Sequence, residues 1–296
     1  GVNGGGAACA RCRAAPPRDD LGLLPEQAER RLGVRRNSCS TEVFTHFLPL
    51  YISKEHWQRD LCLRCLQAAW CRVPLERVPD SPDEALAEEA AWHVLPALMN
   101  STAVAMMGGE LHASELALRG YYNLHRLLLE LASPEVRARA EEDAAAFAAA
   151  PEQRLKAACP NLGHFLPRLL LVGDPAGAWG GLHGALLEEA VDRTVLHAYR
   201  DFPALAGVAD DRRYADIRWQ SAAKGLRMLL FSIRFLRRAV ELGPLEALAA
   251  HYDRRHGQPG AAEQAAFRDE VRQIMAVDSW EAFSRSWCRE VGAQPG

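Results

Sequence analysis

Residues 212–242 read RRYADIRWQSAAKGLRMLLFSIRFLRRAVEL, the longest periodic stretch in the chain. Trp219, Leu226, Leu229, Leu230, Ile233, Phe235 and Leu236 recur in it at helical spacing, which lays apolar side chains along one side of an α-helix. No proline interrupts it. Its length makes it the expected central helix of a bundle.

Working upstream, His183 to Tyr199 reads as a helix with Leu186, Leu187, Ala190 and Val191 inward and Glu188, Glu189, Asp192 and Arg193 more exposed. Asp174 to Gly181 reads as a loop containing Trp179, and Asn161 to Leu171 as a helix despite Pro167. Ser133-Pro134 ends one helix and opens another that exits before Pro151. The helix before it is capped by Ser114 and buries a wide face carrying Leu118, Tyr122, His125 and Leu129, with Ala117, Tyr121, Leu124, Leu128 and Leu131 beside them. Ser81-Pro82-Asp83-Glu84 carries cap logic for a helix reaching Met107, bent or divided at Pro96 and stopped by Gly108-Gly109. Further upstream, a helix from Ser53 carries Trp57, Leu61, Cys65 and Leu66, and the apolar run from Phe44 to Ile52 is broken by Pro49.

Downstream, Pro244 opens a helix ending near Gly257, and a turn follows at Gly257-Gln258-Pro259-Gly260. The last helices cover Ala261 to Ala276 and Trp280 to Val291, the second with Asp278 as cap and Glu281 reciprocating. No alternating strand pattern rivals these signals, and no repeat of fixed period recurs. The expected fold is therefore all-α, an irregular multi-helix bundle with a long central helix. Residues 1–35 form a Gly- and Pro-containing lead-in, 36–242 the main helical domain, and 243–296 C-terminal helices packed on it.

The 296 residues carry 35 basic and 38 acidic side chains, a formal charge of −3. That balance offers no global attraction to nucleic acid or to an anionic membrane. Lys54, Lys156 and Lys224 are the only lysines, so the arginine abundance reads as compositional bias and is a weak argument for phosphate binding. The longest apolar run, Met228 to Phe235, contains Ser232 and Arg234 and falls far short of the roughly 18 residues that span a bilayer. Eight cysteines in a chain able to build its own core point to a reducing compartment, cytoplasm or nucleus.

Candidate chemistry is sparse. Cys9-x2-Cys12 and Cys62-x2-Cys65 each have the spacing of a zinc half-site. The second pair falls inside an expected helix, where two buried thiols need no metal, so no metal is expected. Cys159, before Pro160-Asn161, would sit near a helix start, where the dipole lowers a thiol pKa. A thiol packed at a turn explains it equally well. His125 belongs to the core face, and His112 to a helix start. Glu189 and Arg193 have the spacing of a modest surface pair. Gly4-Gly5-Gly6 and Gly180-Gly181 lack the lysine and hydroxyl residue of a phosphate loop, and no cofactor is expected. Arg227, Arg234 and Arg238 share one side of the long helix and would dock an acidic partner or phosphate, unless they simply form its solvated flank.

Six blocks taken together resemble a known family region: FTHFLPLYISKEHW (44–57), VLPALMNSTAVAMM (94–107), HASELALRGYYNLHRLLLELA (112–132), PNLGHFLPRLLL (160–171), LLEEAVDRTVLHAY (186–199) and SAAKGLRMLLFSIRFL (221–236). In this order they are similar to the helical region that follows a ubiquitin-conjugating catalytic domain in large proteins of protists and algae. The resemblance covers roughly residues 35–240. It implies partner or substrate contacts, since the chain has no His-Pro-Asn before a cysteine and no strands for the catalytic fold. The expected role is a non-catalytic helical interaction or accessory module with a protein partner of the ubiquitin pathway. The alternatives are an enzyme of an unrecognised helical class and a structural scaffold. Within the blocks, the polar residues that packing does not require are Asn100, His112, Glu115, Asn123, Asn161, Glu188, Glu189, Asp192 and Arg193. They read either as a shared functional cluster or as caps and ties between helices.

Overall fold

The computed structural model describes residues 88, 90–107, 115–172, 175–207, 211–245, 247–248 and 260–291. A π-helical turn, Ala90–Val94, runs directly into α1 (Leu95–Met107). α2 spans Glu115–Leu131 and α3 Pro134–Ala149. A 3-10 turn at Pro151–Arg154 leads to α4 (Leu162–Arg168), which tightens into a 3-10 turn at Leu169–Leu171. α5 (Pro175–Asp201), a 3-10 turn (Pro203–Gly207), α6 (Asp211–Glu241), α7 (Ala261–Met275) and α8 (Trp280–Val291) complete it. No strand occurs among the described residues. The fold is all-α, an irregular multi-helix bundle around a long central helix.

Local chemistry sets most boundaries. Ser133 caps α3, its hydroxyl accepting from the Val136 N–H at 3.3 Å, while Pro134 occupies a first-turn position where a missing N–H is no loss. Asn161 caps α4 by accepting from the Gly163 N–H at 2.9 Å. α8 is capped by Ser279, whose hydroxyl accepts from the Ala282 N–H at 3.3 Å. This corrects the expectation for Asp278. A helix beginning at Trp280 has residue 279 at its cap, which places the hydroxyl, not the neighbouring carboxylate, against the third amide.

α5 corrects a larger expectation. It is already helical at Pro175, so the segment expected as a loop around Trp179 is its first turns. Proline suits the start of a helix, and each interior glycine costs only about 1 kcal/mol. Packing of this long helix against α3 and α6 outweighs that.

α6 holds the bundle together. Trp219, Leu226, Leu229, Leu230, Ile233, Phe235 and Leu236 are all buried, and α6 contacts α1, α5, α7 and α8. At its middle, Tyr121 of α2 meets Phe231 and Phe235 edge-on, with ring centroids 4.9 and 4.7 Å apart. Phe267 of α7 lies 5.5 Å from Phe235. Such edge-on pairs add about 0.5–1.5 kcal/mol each to the area they bury. His125 joins this knot, 5.2 Å from the Phe235 ring and fully buried. Burial lowers its pKa to about 3, so it is a neutral core side chain.

Candidate functional site

Pro96 decides the local geometry of the site. In an α-helix the Trp92 carbonyl would accept from the N–H of residue 96, and proline has none. The chain answers with the π-helical turn Ala90–Val94 and with a side chain from elsewhere. Arg168, in the last turn of α4, donates its Nε–H to the Trp92 carbonyl at 3.1 Å. The same guanidinium lies over the Trp92 indole, its Cζ 4.2 Å from the ring centroid. Arg139, from α3, lies over the same indole at 3.9 Å. A tryptophan that is 4% exposed thus carries two cations, an arrangement its electron-rich face favours.

Beside this stack is a cavity of about 380 Å³, the size of a small-molecule site. Arg139, Arg168, Asp143 and Asn161 line it together with His164 and Cys159. Phe147 and Phe165 give it an apolar wall, their rings stacked with centroids 4.5 Å apart. Among the described residues neither Arg139 nor Arg168 has an ion-pair partner. Burial, with Arg139 as a like-charged neighbour and Asp143 opposing through space, lowers the Arg168 pKa to about 10. That group remains cationic near neutral pH. Burial also lowers His164 to about 4, helped by Arg168 and His93, so its imidazole is neutral. Burial pushes the Cys159 thiol up, against the pull of Arg193 and Arg168. This reverses the lowering expected from a helix start and leaves a weak nucleophile. In the described wall the two arginines, Arg139 and Arg168, outnumber the one carboxylate, Asp143.

Of the candidate polar cluster, only Asn161 lines the cavity among the described residues. Glu188, Glu189 and Arg193 lie nearby on α5 as ties to the connector between α3 and α4. Arg154 pairs with Glu188 at 2.6 Å and donates to the carbonyls of Phe147 (2.8 Å) and Ala148 (2.9 Å). Arg193 pairs with Glu189 and donates to the carbonyls of Arg154 (2.8 Å) and Cys159 (2.6 Å). Glu189 was expected on a solvated face and is buried, because the connector folds across it. Asp192 stays exposed. Asn100 lies against α4, apart from that cluster: a Cβ on Gly163 would fall 2.1 Å from its Oδ1. His112 and the side chains of Glu115 and Asn123 lie outside the described residues, as do Cys9, Cys12, Cys62 and Cys65. Among the described residues no cluster of His, Cys, Asp or Glu could hold a metal ion.

The three arginines of the long helix are committed inside the molecule, which corrects their reading as an open docking surface. Arg227 donates to the Val277 carbonyl at 2.9 and 2.6 Å. Arg234, 5% exposed, pairs with Glu290 at 2.7 Å. Arg238 pairs with Glu270 at 2.7 Å. The helical spacing was real, but α7, α8 and the turn between them cover that side.

Trp92, Arg139 and Arg168 were not singled out from the sequence, since no short spacing relates positions in three separate elements. One signal was available: Arg168 is a lone charge in the apolar run Phe165 to Leu171. No helix among the described residues is long and apolar enough to cross a membrane. No family model, curated protein or solved structure matches the chain.

Proposed function

We propose that this chain is a non-catalytic helical module that works by binding a protein partner, and that the cavity beside Trp92 is its point of contact. One observation carries the reading: two guanidiniums on one indole face a cavity without an ion-pair partner among the described residues. Arg139 is exposed, but Arg168 is half-buried and has Asp143 opposing it only through space. Withdrawing an unpaired cation from water is unfavourable, so an incoming anion gains here what the polar ties elsewhere already possess. The wider setting is support of ubiquitin conjugation by an associated catalytic domain, as the six sequence blocks suggest. A cytoplasmic or nuclear location accords with it.

The test is affinity capture from cell extract with the full chain and with Arg139→Glu, a change at an exposed position. Retention of ubiquitin-pathway proteins by the parent and their loss with the variant is the expected result. Equal retention by both removes the cavity from the contact. No specific retention by the parent protein overturns the reading and turns attention to an enzymatic role.

A further inference from the structure

We infer that the cavity beside Trp92 is a receptor for a carboxylate carried on a small apolar body. The inference rests on the binding reading above and narrows it to a ligand chemistry. Arg168 has its Nε committed to the Trp92 carbonyl and its Cζ held over the indole. Its two Nη groups have no acceptor among the described residues. A guanidinium held in this way offers a planar fork, and the planar pair of oxygens in a carboxylate matches it bidentately.

Charge and shape narrow the class further. Beside His93, the wall sets two arginines against one aspartate, Asp143, with His164 neutral. That balance suits a single negative charge. The stacked pair Phe147 and Phe165 forms apolar lining that a bare inorganic oxyanion would leave uncovered. A volume of about 380 Å³ admits a ring or a branched alkyl group behind the carboxylate. Two sources share this chemistry: a free organic acid, and the carboxyl terminus of a protein ending in an apolar residue.

Calorimetric titration of the full chain with benzoate, benzamide and inorganic phosphate tests it. The expected result is saturable binding of benzoate, with benzamide and phosphate at least ~10-fold weaker, the size of effect a lost charge-assisted hydrogen bond gives. Ala158→Glu should abolish benzoate binding, because Ala158 is an exposed residue at the cavity. Arg168→Gln should do the same, but it touches the helix join, so Ala158→Glu guards against a folding artefact. Benzamide binding as tightly as benzoate would overturn the inference, as would phosphate binding as tightly. Benzoate binding that survives Ala158→Glu, or no benzoate binding by the parent, would also overturn it. A short peptide ending in phenylalanine, as free acid and as amide, separates the sources. Preference for the acid supports the inference, and its rank against benzoate assigns the source. Capture that stays intact in Ala158→Glu while its benzoate binding is lost defeats only the protein-docking reading. A parent chain that captures its partner but does not bind benzoate defeats only this inference.

Discussion

Arg193 stands one helical turn after Glu189, and its guanidinium bonds that carboxylate while also reaching the carbonyls of Arg154 and Cys159. A pair at this spacing on an open helix face is worth a few tenths of a kcal/mol. Here both side chains are mostly buried, at 13% and 11% exposure, and main-chain acceptors complete the arginine. Arg193→Gln should therefore destabilise the fold by about 3 kcal/mol, because Glu189 is left without its counter-charge. Urea unfolding measures it. A loss below 0.5 kcal/mol, the ordinary surface range, would mean the connector is not held through this residue.

Glu290 makes a similar argument at the other end of the molecule. Its side chain is 5% exposed and accepts from both Arg234 and Arg237. Glu290→Gln should lower stability by about 3 kcal/mol. The paired change Arg234→Met with Glu290→Leu should recover most of that, because well-packed apolar groups often replace a buried ion pair at no loss. Thermal melts of the parent, the single variant and the pair decide it. A double variant no better than the single one contradicts the account.

Two histidines give the stability a definite pH dependence. Folded His125 has a pKa of about 3 and His164 of about 4, both below the ordinary 6.5. Between those values the unfolded chain binds protons that the folded chain refuses, so stability is full above about pH 6.5 and falls as pH drops. Each histidine contributes a slope of up to about 1.4 kcal/mol per pH unit. Urea unfolding at pH 7, 6 and 5 should show the fall, and His125→Phe should flatten it by about half. An unchanged slope in that variant would show that His125 ionises in the fold.

Gly163 is needed for the approach of α4 to α1. A Cβ there would lie 2.1 Å from Asn100 Oδ1 and 2.6 Å from its Cγ. Gly163→Ala should cost about 1–3 kcal/mol, the usual range for overpacking. Asn100→Ala should relieve most of that in the double variant, giving a coupling measurable in a mutant cycle. Additive effects would place the strain elsewhere.

The helices with long, regular apolar spacing were legible in the sequence. The stretch around Leu226 to Leu236 and the helix start at Ser133-Pro134 follow from local chemistry alone. Pro175 to Gly181 was not legible, since glycine-rich sequence favours a loop locally and only tertiary packing keeps it helical. The cavity escaped for a related reason. Trp92, Arg139 and Arg168 acquire meaning only when three elements meet, and nothing short-range joins them. The arginines of α6 show the converse: their common face was correctly read from spacing, but the sequence could not say what would cover it.

Pro96 has a consequence that reaches past the shape of α1. By denying the Trp92 carbonyl its own helix partner, it recruits the Arg168 Nε as a substitute and fixes that side chain before any ligand arrives. An arginine ordinarily surrenders much rotamer freedom when it grips an anion. This one has already surrendered it during folding, so an arriving carboxylate meets a preorganised fork and little entropy remains to be lost on association.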